Sequence, residues 1–137
     1  MMVVDASVWV GSLVAEDAHH VASLHWLSQQ FADSGATLVA PSLLLPEVAG
    51  AVARRTGKLD LAQRILDGLL RFPELELIPL DEDLSLAAAR LAARLCLRGA
   101  DACYVAVAQV LGLPLVTWDA ELQQRAGQVV PVLEPKL

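Results

Sequence analysis

Four carboxylates of this chain sit against apolar sequence: Asp5 in MVVDASVWV, Glu47 in LLLPEVAGAV, Asp101 in RGADACYVAVA and Asp119 in LVTWDAEL. An ionised acid in such surroundings loses hydration, so it needs a hydrogen-bond donor, an opposite charge or a metal ion. Were the four to converge to about 5 Å, each pair would repel by roughly 3 kcal/mol at an effective dielectric of 20, and the cluster would require a cation. Oxygen ligands without His or Cys favour Mg²⁺ or Mn²⁺ over zinc, and such ions keep several waters and take few direct carboxylates. That leaves room for a phosphate and an attacking water, the chemistry of metal-dependent phosphodiester hydrolysis. Ser7 and Thr117 each lie two residues from one of these acids. Their hydroxyls can orient a carboxylate, bind a metal water, or serve as local caps.

Each acid also has an ordinary reading. Asp5 and Asp119 each follow a predicted strand, and either can cap the next helix, although that position also faces the ligand crevice of an open α/β sheet. Asp101, at the head of a predicted helix after Gly99, has the same capping alternative. Glu47 shares a helical stripe with Leu43, Leu44, Ala51 and Val52 and so points toward the core; an ion pair there would draw on Arg54, Arg55 or Arg98. The remaining acids fit turns, caps and half-solvated strands: Glu16 and Asp17, Asp33, Glu74 and Glu76, and Asp81 to Asp83.

The elements that must position these residues follow from the hydrophobic pattern. Strands are predicted over Met2 to Val4, Thr37 to Val39, Leu75 to Ile78, Leu115 to Thr117 and Val129 to Val132. Helical spacing runs over Ala18 to Phe31, Ser42 to Arg55, Leu61 to Leu70, Leu84 to Leu97 and Asp101 to Leu111. Gly35, Gly57, Gly99 and Gly112 fall where helices should stop, and Asp60 is placed to cap the helix that begins at Leu61. Alternating strands and helices imply an α/β fold with a short parallel sheet flanked by helices.

At 137 residues, with short connections and no linker or repeat, one domain over residues 1–137 is expected. Hydrophobic residues at 55% and charged residues at 19% exclude a disordered chain and suggest a partner-covered face. The net charge of −6 opposes nonspecific phosphate binding, so a nucleic-acid role needs a local site. The N-terminus has no basic region before its apolar run, which predicts a cytoplasmic protein. The longest apolar stretch, Ala102 to Val116, is too short and too interrupted for a membrane span. Cys96 and Cys103 read as buried thiols, and no CxxC zinc pattern occurs.

In this order, VVDASVWV, PSLLLPEVAGAVARR, RGADACYVAVA and LPLVTWD resemble the PIN domain, and within it the VapC-like ribonuclease toxins of toxin–antitoxin pairs. The resemblance covers nearly the whole chain and is most specific in DAxYVAxA and LVTxD. It implies a three-layer fold with an acidic pocket at the strand ends. Asp5, Glu47, Asp101 and Asp119 become the catalytic, metal-binding acids of a Mg²⁺- or Mn²⁺-dependent endoribonuclease, with Ser7 and Thr117 as accessory polar groups. It further implies an RNA substrate, a homodimer and a small antitoxin whose tail occupies the pocket. Alternatives within the fold are a non-catalytic binding module and an RNA-processing nuclease without an antitoxin. A haloacid-dehalogenase-type phosphatase fits less well, because Ser7 stands where its second acid would be.

Arg90, Arg94 and Arg98 recur every four positions as a basic stripe, and Arg54, Arg55 and Lys58 cluster near one helix end. Of these, Arg98 is close enough to Asp101 to be a candidate RNA contact. Trp118 is bulky for a position between Thr117 and Asp119; it is assigned to the core, with a place flanking the pocket as the alternative. His19, His20 and His25 lie near a polar helix start and are assigned no chemistry. Aromatics at 4% exclude a broad base-stacking platform.

Overall fold

A computed structural model describes residues 1–33 and 35–136. Five strands, β1 (Met2–Val4), β2 (Leu38–Pro41), β3 (Leu75–Ile78), β4 (Leu115–Val116) and β5 (Val132–Leu133), form one parallel sheet in the order β3-β2-β1-β4-β5. Val3 is central, pairing with Val39 on one side and Leu115 on the other. Continuous apolar runs suit strands covered on both faces, and every residue of β2 and β4 is buried. At the edge, β3 exposes Glu76 and keeps its apolar residues half-buried.

Seven helices, α1 (Ala6–Leu13), α2 (His20–Ala32), α3 (Leu44–Thr56), α4 (Leu59–Leu70), α5 (Glu82–Leu95), α6 (Gly99–Leu111) and α7 (Ala120–Ala126), flank the sheet among the described residues. α6 packs on β1, β2 and β4 with α5 against it, while α1 packs on α2 and α3, and α3 on α4. In α6 the run Ala102–Ala108 is buried without a break, because a helix between a sheet and another helix has no solvent face, and its alanines permit close approach. The result is the three-layer α/β architecture that the alternating pattern predicts.

The differences from the pattern are local. α1 and α7 span only eight and seven residues, too short for a helical period to declare itself. The last strand lies at Val132–Leu133, because Val129 and Val130 turn back onto Ala126 through their amides. Gly57 and Gly112 do end helices in the left-handed region, at φ 69° and 66°. Gly99, by contrast, opens α6, and α5 stops earlier, at Cys96, which takes the left-handed conformation itself at φ 54°. That break ends the predicted basic stripe: Arg98 leaves the helix of Arg90 and Arg94 and stands before α6. Cys96 is exposed, not buried, and only Cys103 lies in the core. Asp60 falls inside the first turn of α4, with Lys58 at the cap position. No helix among the described residues is long and apolar enough to cross a membrane.

Candidate active site

In the strand order the chain moves outward from β1 to β2 and β3, then returns to the other side of β1 as β4. Ligands of open parallel sheets bind at the carboxyl edge where the order reverses. Asp5 leaves β1 at that edge, and Thr117 to Asp119 leave β4 beside it, with the Asp5 amide donating to the Val116 carbonyl at 2.9 Å.

Hydroxyls join the two strand ends. The buried Thr117 hydroxyl donates to Asp5 Oδ2 at 2.8 Å and accepts from the Asp119 amide at 3.1 Å. The Ser7 hydroxyl lies 3.3 Å from that of Thr117 and accepts from the Trp118 amide at 3.2 Å. Both residues thus hold carboxylate-bearing backbone in place, as their spacing suggests. The capping readings are also correct for Asp5, which accepts from the Ser7 amide at 3.4 Å, and for Asp119, whose Oδ1 takes the Glu121 and Leu122 amides at 2.9 and 3.1 Å. Asp101 caps nothing, since it lies inside the first turn of α6.

Glu47, on α3, and Asp101, on α6, complete the acidic face. The expected arginine partner of Glu47 is absent among the described residues; instead Tyr104, one turn along α6 from Asp101, donates its hydroxyl to Glu47 Oε1 at 2.7 Å. Burial pushes the Asp5 carboxyl above the usual range against the hydrogen bonds from Ser7 and Thr117, and the charge of Asp101 adds to the rise. Glu47 is raised likewise, first by burial and then by the charges of Asp5 and Asp101, while Tyr104 and Arg98 oppose the rise. Arg98 spans the other two acids, with Nε 3.0 Å from Asp101 Oδ2 and Nη2 3.3 Å from Asp119 Oδ2. Its hydrogen bond to Asp101 and the negative charge of both acids hold the guanidinium protonated.

Three acids therefore repel one another, and the fourth is linked to them through Arg98 and Thr117. This donor set is all oxygen and fits a hard divalent ion. Among the described residues, however, no three His, Cys, Asp or Glu side chains are grouped closely enough to enclose one. Asp119 is occupied by its cap and by Arg98, and Glu47 by Tyr104. The arrangement accordingly fits an ion taking one or two carboxylates and keeping its waters, and does not fit a closed protein cage.

An open cavity of about 790 Å³ adjoins the acids, lined by Ser7, Glu47, Arg54, Arg55, Arg98, His19 and Trp118 among others. Trp118 is not core: it is half-buried, and its indole stacks on the exposed His19 ring with centroids 4.1 Å apart and planes 7° apart. Tyr104 and His19 escaped the sequence reading. Tyr104 gave a signal, as the single polar-tipped aromatic in the apolar run of α6; His19 gave none. A second, apolar cavity of about 380 Å³ lies between α1, α2 and α4, lined by Trp9, Leu13, Leu27, Phe31, Leu69 and Phe72. The buried Trp9 indole N–H has no acceptor among the described residues.

Solved structures share this fold at low identity. The crystal structure of VapC20 from Mycobacterium tuberculosis, a sarcin–ricin-loop-cleaving toxin, is 20% identical over 90% of this chain and 94% of its own, with a TM-score of 0.76. A toxin–antitoxin complex from Klebsiella pneumoniae matches at 15% identity over 98% of both chains, TM-score 0.70. VapBC2 from Rickettsia felis, bound to a DNA fragment from its promoter, matches at 17% over 97% of both, TM-score 0.69. No curated protein matches. The model of the PIN domain matches residues 2–128, with the four acids and both hydroxyl residues inside the match, and the chain belongs to the PIN domain family.

Proposed function

We propose that this protein is a Mg²⁺- or Mn²⁺-dependent endoribonuclease and the toxin of a toxin–antitoxin pair. The observation that carries the reading is the repulsion among Asp5, Glu47 and Asp101 at the switch point of the sheet, where burial and like charge raise two of the three. Carboxylates raised by burial and like charge at a ligand crevice mark a functional site that a cation would relieve. Asp5, Glu47, Asp101 and Asp119 would surround the ion, one or two of them directly and the others through its waters, and the ion when bound supplies a water of lowered pKa and neutralises phosphate charge. Thr117 and Ser7 keep Asp5 oriented, Tyr104 fixes Glu47, and Arg98 contacts an RNA phosphate at the cavity mouth. The toxin–antitoxin complexes among the structural neighbours support an antitoxin partner, and the apolar cavity between α1, α2 and α4 supports a protein-covered face, which a homodimer would supply.

Thermal unfolding with and without millimolar Mn²⁺, for the native protein and Asp101→Asn, tests the site without knowledge of the substrate. A midpoint that rises with Mn²⁺ in the native protein but not in the variant supports it, since a ligand of the folded state alone stabilises that state. Cleavage of an RNA panel with Mn²⁺, and relief of growth arrest by Asp5→Asn on expression, test the enzyme and the toxin. The capping by Asp5 and Asp119 and the pairing of Arg98 favour one second reading, a non-catalytic module. Retained function of Asp101→Asn in the host would select it.

A further inference from the structure

We infer that His19 and Trp118 form a subsite for one unpaired nucleobase of the substrate, an inference that rests on the nuclease reading. Trp118 and His19 line the same cavity as Glu47, Arg54 and Arg98. The rings are parallel at 4.1 Å, one imidazole face is taken by the indole, and His19 is exposed at the cavity wall. A flat ring backed by a second ring is the surface on which bases of single-stranded RNA stack.

The pair is held from behind. The Trp118 indole N–H donates to the buried Ser23 hydroxyl at 2.8 Å. The His19 amide donates to Asp17 Oδ1 at 2.8 Å, and Asp17 Oδ2 accepts from Arg55 at 2.7 Å. The platform is thus ordered before RNA arrives, which lowers the entropy cost of stacking. The arginines of the same cavity, Arg54, Arg55 and Arg98, are available to the phosphates that flank such a base.

The test titrates a short single-stranded oligoribonucleotide, and a series with one abasic nucleotide moved along it, into native protein and His19→Ala in EDTA. Tryptophan fluorescence reports binding, because Trp9 and Trp26 are 3% and 5% exposed and Trp118 is the half-buried one. Cleavage of the same series is then followed with Mn²⁺. In the native protein one abasic position should weaken binding and kcat/KM by roughly tenfold, and His19→Ala should reduce the intact oligonucleotide to that level without a further abasic penalty. Trp118→Phe, which keeps a ring but removes the fluorescent reporter, should retain most of the effect on kcat/KM. Cleavage at equal kcat/KM by native and His19→Ala, or a lower thermal midpoint with an unchanged abasic penalty, would overturn the subsite and leave the nuclease standing. A native protein that neither binds nor cleaves RNA would overturn both.

Discussion

The Tyr104 hydroxyl and Glu47 Oε1, 57 residues apart in sequence, meet at 2.7 Å and tie α6 to α3 beside the acids. Burial and the Glu47 charge push the Tyr104 ionisation above its ordinary value, so the phenol remains a donor at every pH at which the fold is studied. In Tyr104→Phe the Glu47 carboxylate loses a donor that opposes its raised pKa. The variant should lose about 1–2 kcal/mol of stability by denaturant titration. The acid limb of its cleavage profile should move to higher pH, because Glu47 would ionise later. An unmoved limb would show that Glu47 does not set it.

Asp5 should oppose stability in the metal-free protein. Its folded pKa lies above the unfolded one, so its contribution is fully present below the unfolded value and is lost as pH rises through the folded value. At neutral pH, Asp5→Asn should therefore unfold a few degrees higher than native in EDTA, for a gain of about 1 kcal/mol, and should cleave nothing. That gain should shrink as pH falls through the carboxylate range. Melting curves from pH 4 to about 7.5 decide it; a variant less stable than native throughout would mean that the hydrogen bonds from Thr117 and Ser7 outweigh the desolvation.

Removal of Arg98 should separate its two roles. The guanidinium side chain is 77% exposed, so its bridges to Asp101 and Asp119 contribute less than about 1 kcal/mol to the fold. Its charge nonetheless competes with a bound cation for the same oxygens. Arg98→Gln should leave the melting midpoint in EDTA nearly unchanged, bind Mn²⁺ several-fold more tightly by calorimetry, and show a higher KM for RNA. Weaker Mn²⁺ binding would place the ion away from Asp101 and Asp119.

A methyl group at position 11 should disturb the cavity from behind. A Cβ on Gly11 would lie 2.7 Å from the Ser23 hydroxyl, which is fully buried and accepts the Trp118 indole N–H. Gly11→Ala should cost about 1–3 kcal/mol and shift the Trp118 emission, measured by melting and by fluorescence. Retained native emission would show that α1 and α2 separate without releasing Trp118.

Sequence alone carried the acids and the hydroxyls because each departs from an apolar run, and it carried the parallel sheet because buried strands are short and uniformly apolar. What it could not carry depends on contacts between distant residues. Glu47 has the helical stripe of a buried ion-pair member, yet its partner is a phenol supplied by α6. Arg98 keeps the spacing of Arg90 and Arg94, yet Cys96 in the left-handed region turns the chain and sends Arg98 to Asp119. Trp118 looks apolar in a row of core residues, and only the approach of Ser23 to its N–H and of His19 to its ring face shows how it is held at the cavity wall.

The bond from Thr117 to Asp5 spans 112 residues and joins the end of β4 to the end of β1. During synthesis, Asp5 is made long before β4 and Thr117, which complete its surroundings. The acidic site is therefore assembled only once every residue from Asp5 to Asp119 has been made, so its geometry is a late product of folding.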